Sequence, residues 1–434
     1  MPSDVVFLFD FGGSYTKAHV WEHGMFKKQV TIPSTKVTRG ALGEYEIDPL
    51  EFRDQLIQFF KKLKNEFGEP AEIAITGQMA TYLIVGSRLN PVTPIISWQD
   101  ERSLVRQQDI ESWYENKKKS LLKLRAVNYD GIRAGLPLMY LSAILEDGGI
   151  PGAEKILSIN QYAALILNDD LELKDIQSHE SEAASTGLYD LKNKSWNQEL
   201  LDFSGIEIDM LPKISNDFDY IGKGQIGSHK TRIPIGDFQA AIAGVELKPN
   251  ELFVHVATGG QVAKLSNRSS ISGVNQENWI QLRPAMNNSV VIQTVTHLPA
   301  GRLLGSLVGI LEQIGIQNSW KRLDQYFCES TAIVFNIDMT DRRDFSLDRI
   351  PSRELEIESL LKGVSQGVLK TYNSVIEKML SPNIDTLVFS GGALNKLPRF
   401  MERLNPAELQ LTLRTHEDLD TSLKGLANLV GLGT

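Results

Sequence analysis

The chain of 434 residues carries a single cysteine, Cys328. One thiol excludes an intrachain disulfide framework and any cysteine-built zinc site. A basic surplus is missing as well: 45 Lys and Arg stand against 54 Asp and Glu, for a formal net charge of −9. Nucleic-acid partners demand a basic face, so this balance argues against one. The Lys117-Lys118-Lys119 run reads as a solvated helix face and not as a binding patch. No N-terminal segment joins basic residues to a long apolar run. Nothing in the chain approaches the ~18 uninterrupted apolar residues of a membrane span. The expected location is therefore cytoplasmic, with no membrane partner. The apolar fraction of 42% and charged fraction of 23% are those of a globular protein. The length exceeds what one hydrophobic core serves and predicts roughly two or three domains.

The opening run VVFLFDFGGSYTKAHV, Val5 to Val20, is the most informative stretch. It reads as a strand ending near Asp10, a tight turn at Gly12-Gly13 using glycine's freedom at positive φ, and a returning strand. Such a turn can aim backbone N–H groups at phosphate oxygens, and Asp10 can hold the Mg²⁺ that accompanies a nucleotide. The alternative is an ordinary hairpin with a surface aspartate.

Strands and helices alternate through the first half. Glu72–Thr76 and Pro94–Trp98 read as strands, and Pro49–Phe67 as a helix with Phe52, Leu56, Phe60 and Leu63 at helical spacing. Leu136–Glu146 and Ile156–Leu167 also read as helices. This alternation predicts an α/β architecture. An echo of the opening appears at Phe253–Ser266, FVHVATGGQVAKLS, where Gly259-Gly260 aligns with Gly12-Gly13 and Lys264 with Lys17. Ala257 then stands where Asp10 stood. Two copies of one hairpin, each opening a domain, place the boundary near Gly244–Asn250. The expected domains are 1–244 and 245–434.

Three further groups carry candidate chemistry. Ser390-Gly391-Gly392-Ala393 follows the apolar strand Thr386–Phe389 and lets a ligand approach the backbone at the mouth of a sheet. In PIGDFQAA, Pro234 to Ala241, Asp237 opens a helix, where it serves either as a cap or as an acceptor of a hydroxyl proton. Trp98-Gln99-Asp100-Glu101-Arg102 with Gly77-Gln78-Met79 suits a sugar, whose ring stacks and whose hydroxyls need paired donors and acceptors. The alternative there is a surface helix start with an Asp100/Arg102 charge pair.

In this order, FDFGGSYTK, TGQM, WQDER, HESEAASTGLYDLKNKSW (His179–Trp196), Leu211-Pro212, GDFQAA, ATGGQ and FSGGALN resemble the FGGY family of carbohydrate kinases. The resemblance spans nearly the whole chain, and WQDER, GDFQAA and HVATGGQVA look closest to the sedoheptulokinase branch. It implies two ribonuclease-H-like domains of the actin/hexokinase superfold with an interdomain active-site cleft. The first would bind the sugar and carry the catalytic base; the second would bind the nucleotide. It further implies ATP and Mg²⁺ as cofactors, with Asp10 as metal ligand and Asp237 as base. Gly12, Gly13, Ser14, Tyr15 and Lys17 match the first phosphate motif, and Thr258, Gly259 and Gly260 the second. Gly391, Gly392, Ala393 and Asn395 match the adenosine motif. Gln78, Met79, Trp98, Asp100, Arg102, Asp237 and Phe238 fall where family members contact the sugar. A homodimer is common in the family.

Two departures bear on specificity. Ala80 replaces the His that many ketose kinases of the family carry after Gln-Met. Gly13, Ser14 and Tyr15 replace the threonines common in the opening turn, a change that leaves backbone donors in place. The implied activity is ATP-dependent phosphorylation of a ketose such as sedoheptulose. The alternatives are another family substrate, such as xylulose or ribulose, or a non-catalytic sugar or nucleotide sensor. Glycerol is disfavoured because that branch places Arg-Glu where this chain has Met79-Ala80.

Overall fold

Val5–Phe11 (β1) is buried almost throughout, as a strand covered on both faces must be. It pairs antiparallel with Tyr15–Glu22 (β2) and parallel with Glu72–Gly77 (β4), and β2 pairs in turn with Met25–Pro33 (β3). Lys230–Thr231 extends the sheet beyond β4, and Ile235–Gly236 (β5) runs parallel to the end of β4. These strands belong to a computed structural model that describes residues 4–108, 111–124, 132–221, 229–257, 259–269, 280–329, 331, 335–337, 345–346, 356–404, 411–415 and 420–432.

The helix Pro49–Phe67 (α1) begins and ends where the sequence places it. Asp48 caps it by accepting the N–H groups of Leu50 and Glu51, and Pro49 supplies a preset φ. Its buried Phe52, Leu56, Phe59 and Leu63 pack on Phe7, Phe9 and Phe11 of β1. The other face of β1 and β4 gives Leu8 and Ala74 to Ala240, Leu423, Leu426 and Ala427, so the C-terminal helix Thr421–Leu429 closes the second side of the sheet.

Three local expectations differ from the structure. Gly12 and Gly13 do not take the left-handed φ expected of the turn. The Gly12 N–H donates to Tyr15 O at 3.1 Å, and a Cβ on Gly12 would stand 2.9 Å from that oxygen, so close approach is what this turn asks of glycine. The helix expected over Ile156–Leu167 divides into a strand, Lys155–Ser158, and a helix, Ile159–Leu167 (α2). Ser158 and Gln161 form a capping box that starts the helix late, and the preceding residues pair with Tyr82–Val85. Of Pro94–Trp98, only Ile95–Ile96 forms a strand.

The chain divides into two units. The first comprises Met1–Glu246, Arg283–Val290 and Ser422–Thr434, and the second Leu247–Leu282 and Val291–Thr421. A single cut in sequence does not produce this division, because residues 283–290 and the C-terminal helix return to the first unit.

The second unit repeats the scheme of the first. Glu251–Val256 and Gly260–Asn267 form a hairpin, and Glu251–Val256 runs parallel to Thr386–Ser390. The long helix Ile357–Met379 buries Val368, Tyr372, Val375 and Ile376 in this unit's core. The repeat holds in topology but not in register. Lys17 lies opposite Asp10, whereas Lys264 lies opposite Leu252 and donates to Met379 O at 2.7 Å. The second turn joins Val256 to Gly260 and so falls earlier relative to its Gly-Gly pair than the first turn, which joins Phe11 to Tyr15, and this shifts the register.

Gly391 ties the last turn of this unit to the hairpin. Its φ is 114°, and a Cβ there would stand 2.3 Å from Val256 O, a backbone atom that no rotamer can move. Gly391→Ala is expected to destabilise the unit by about 2–4 kcal/mol, read as a lowered thermal midpoint. A midpoint equal to wild type would show that the turn relaxes.

Candidate active site

Three parallel strands of the first unit end at one edge. β1 brings Asp10, β4 runs into Gln78, and β5 delivers Asp237. The register places Asp10 beside Thr76, and Thr76 Oγ1 donates to Ile235 O at 3.0 Å. The Gln78 N–H donates to Phe11 O at 3.0 Å. Carboxyl ends of adjacent parallel strands are where α/β sheets gather ligand groups. Asp10 is 8% exposed and faces Lys17 across the hairpin, whose tip residues Gly13, Ser14 and Tyr15 are exposed. No group of three or more metal-ligating side chains occurs among the described residues. Asp10, a single nearly buried carboxylate at a strand end, is the kind of donor that Mg²⁺ takes together with phosphate oxygens and water.

Asp237 is the first residue of the helix Asp237–Gly244 (α4), and the cap position belongs to Gly236. The Gly236 N–H donates to Ser181 Oγ at 3.0 Å, which fixes the turn that presents Asp237. Burial pushes the Asp237 carboxyl up to about 6, opposed by the Phe238 N–H and the positive charge of Arg283. Asp237 nonetheless keeps accessible surface, as a group that must meet a ligand requires. A Cβ on Gly236 would stand 2.8 Å from Met79 Sδ, so Met79 lies against the same turn. Arg283 Nη1 reaches Met79 Sδ at 3.6 Å, and its guanidinium lies 5.7 Å from the centroid of the Phe238 ring.

Behind this group stands a carboxylate that sequence reasoning assigned no role. Glu182, on the short helix Glu180–Ser185 (α3), is fully buried, and Asn160 Nδ2 donates to its Oε1 at 2.7 Å. Burial raises its carboxyl to about 7, and the neighbouring Asp237 charge adds to the rise against hydrogen bonds from Asn160 and Ser158. The signal was available: a glutamate flanked by Ser181, Ala183, Ala184 and Ser185 sits where packing is tight.

A pH dependence follows. A carboxyl raised on folding leaves stability unaffected below its unfolded value near 4.5 and costs progressively more up to about 7. Glu182→Gln is neutral throughout, so its thermal midpoint relative to wild type should rise between pH 5 and pH 8. The gain is up to about 3 kcal/mol above pH 7. An equal difference at both pH values would contradict the assignment.

The remaining acceptor-side candidates make two sets of hydrogen bonds. Trp98 is half-buried, and its N–H donates to Thr81 Oγ1 at 3.3 Å; Thr81 Oγ1 in turn donates to Gln78 Oε1 at 3.3 Å. Asp100 and Arg102 bind each other: Nε to Oδ1 at 2.8 Å and Nη2 to Oδ2 at 2.9 Å, with a further bond from Arg102 to Glu46. Asp100 is 1% exposed and also accepts the Tyr45 N–H. Ala80 is buried with φ 56°, and its carbonyl accepts the Tyr140 hydroxyl.

In the second unit, Gly259 and Gly260 lie at the hairpin tip, where the Ala257 N–H donates to Gly259 O. Thr258 lies outside the described residues. The Ala393 N–H donates to Val256 O at 3.2 Å, so the Gly391-Gly392-Ala393 turn meets the hairpin at one sheet edge. Gly392 and Asn395 are exposed there.

Solved structures share this architecture. A ligand-bound xylulose kinase from Lactobacillus acidophilus superposes with a TM-score of 0.79 at 17% identity, covering 99% of this chain and 90% of that one. A gluconate kinase from the same organism gives 0.78 at 17% identity with the same coverage. The fold is thus the mixed α/β, two-domain, actin/hexokinase-like one that carbohydrate kinases adopt.

The N-terminal domain of the FGGY family of carbohydrate kinases matches residues 5–234, more than half of the chain, and the protein belongs to that family. In sequence, a xylulose kinase from Lactococcus lactis subsp. lactis is 27% identical over 210 residues, spanning 46% of this chain and 40% of the relative. The match thus takes in less than half of that relative's length.

Proposed function

We propose that this protein transfers the terminal phosphoryl group of ATP to a hydroxyl of a ketose or similar polyol. The observation that carries the reading is Asp237 at the end of β5, beside the strand ends bearing Asp10 and Gln78 and against Met79. Asp237 accepts the hydroxyl proton, and Gln78, Met79, Trp98 and Phe238 line the acceptor side. The Asp100–Arg102 pair braces that side or reaches the acceptor itself. Gly12, Gly13, Ser14, Tyr15 and Lys17 serve the phosphates from the first unit. Thr258, Gly259, Gly260, Gly391, Gly392, Ala393 and Asn395 serve the nucleotide from the second. Asp10 would hold Mg²⁺, which when bound neutralises phosphate charge. Positioning and electrostatics supply most of the catalysis in such transfers.

The named sequence relative favours a pentulose such as xylulose, while WQDER and GDFQAA favour sedoheptulose. Both are ketoses, so the reading is common to them. A non-catalytic sensor would not need Asp10 and Asp237 together. A cytoplasmic location is proposed with the kinase reading; no helix among the described residues is long and apolar enough to cross a membrane.

ADP release from Mg-ATP across sedoheptulose, xylulose, ribulose, fructose, gluconate and glycerol tests the proposal. Strong stimulation by one ketose is expected. ATP binding without stimulation by any acceptor would favour the sensor.

A further inference from the structure

The short helix α3 holds two turns of the first unit at once. All its residues are buried, and Ser181 and Ser185, four apart, share one face of it. Ser181 Oγ accepts the N–H of Gly236, the residue before Asp237, at 3.0 Å. Ser185 Oγ accepts the N–H of Ala80, the residue after Gln78-Met79, at 3.2 Å. The direction of each bond is set by a neighbour. His179 Nδ1 accepts the Ser181 N–H, so it carries no proton, and the Ser181 hydroxyl 2.8 Å away must donate to it. The lone pairs of Ser181 Oγ are thereby left for Gly236. Ser185 donates to Glu182 O at 2.7 Å, which leaves its own lone pairs for Ala80.

Ala80 needs such a hold. Its φ of 56° lies in the left-handed region that a side chain disfavours, and backbone of this kind persists only where its surroundings over-determine it. The Tyr140 hydroxyl fixes its carbonyl and Ser185 its N–H. Between the two serines, Glu182 accepts Asn160 Nδ2, and Asn160 Oδ1 fills the place that a Cβ on Gly77 would take. Gly77 is the register partner of Gly236, so α3 also braces the strand ends from which both turns leave.

We infer that Ser181 and Ser185 are positioning residues with separate duties: Ser181 sets the aim of Asp237 at the acceptor hydroxyl, and Ser185 holds the Gln78-Met79-Ala80 turn against the acceptor. This inference rests on the reading of Asp237 as the base and of Gln78 and Met79 as acceptor contacts. Ser181 is 0% and Ser185 1% exposed, so each acts through the turn it holds.

The test compares Ser181→Ala and Ser185→Ala with wild type, using the acceptor that the panel identifies. A lost aim at Asp237 is felt in the transition state, so Ser181→Ala should lower kcat about 10–100-fold with acceptor KM near wild type. Its acid limb should stay in place, because no charge is removed. Slack in the acceptor turn removes binding that ground and transition states share, so Ser185→Ala should raise acceptor KM about tenfold with kcat near wild type. Ser142→Ala is the control. Ser142 is 1% exposed and donates to Leu138 O within its own helix, Pro137–Glu146, so both constants should hold.

Thermal midpoints taken alongside show whether each variant is folded. Should an alanine variant unfold, Ser→Cys at the same position repeats the test with nearly the same volume and a weaker acceptor. Opposite changes in kcat and KM support the separate duties. Wild-type constants in both variants would overturn them. A common loss of kcat and KM that tracks a fall in midpoint would do the same, since it marks a merely structural helix. Asp237→Asn run alongside keeps two failures apart. If it loses turnover while both serine variants behave as wild type, the base stands and the serine inference falls. If Asp237→Asn keeps turnover, the reading of the base itself falls.

Discussion

Asp237→Asn is expected to lower turnover by ~10²–10⁴-fold with little change in ATP affinity. The substitution keeps the volume and the position at the start of α4, where the cap belongs to Gly236 and owes nothing to the Asp237 side chain. What it removes is a carboxylate raised to about 6, close enough to neutrality to accept a proton and still mostly ionised at pH 7. The wild-type rate should accordingly fall below pH 6 as this carboxyl protonates. The nucleotide candidates Gly259, Gly260, Gly391 and Gly392 belong to the second unit, which is why ATP affinity should survive. Single-turnover rates with nucleotide-binding titrations check both halves. Full turnover in the variant would remove Asp237 from the mechanism.

Gly425→Val should unseat the C-terminal helix and take activity with it. A Cβ on Gly425 would stand 1.8 Å from Ala240 O, 2.6 Å from Ala240 C and 2.9 Å from Gly244 N. All three are backbone atoms of α4, the helix that opens with Asp237, so no side-chain rotation relieves the overlap. The helix must withdraw, exposing Leu423, Leu426 and Ala427, which are now 0–2% exposed. The bond from Asn428 Nδ2 to Ala243 O would be lost with them. Overpacking and lost burial together predict about 3–5 kcal/mol of destabilisation. A several-degree fall in thermal midpoint and early proteolytic clipping near residue 420 are the expected signs. A variant with wild-type midpoint and activity would show that α4 does not depend on this helix.

The parts legible in the sequence were those whose partners are close along the chain. α1 was readable to the residue because Asp48-Pro49 both stop the preceding segment and start the helix. The opening hairpin was readable because its strands are joined by only three residues, Gly12-Gly13-Ser14. Ile156–Ser158 was not, since a short apolar run looks the same in a buried strand and a buried helix. The Asp100–Arg102 charge pair stood in the sequence as the alternative to sugar contacts and forms in the structure, buried and not on the surface, whereas its further partners Glu46 and the Tyr45 N–H were not legible. Arg283 was invisible for a different reason: its partner Met79 is 204 residues away, and no motif surrounds it. The return of residues 283–290 and 422–434 to the first unit was hidden likewise, because it depends on contacts with strands laid down at the start of the chain.

The most direct test of the central claim is to follow the label from γ-phosphoryl-labelled ATP in the presence of each acceptor. Transfer predicts label in a sugar phosphate monoester, formed in step with ADP for one ketose and absent in Asp237→Asn. Label appearing only as inorganic phosphate, or remaining on ATP with every acceptor, would contradict a sugar kinase.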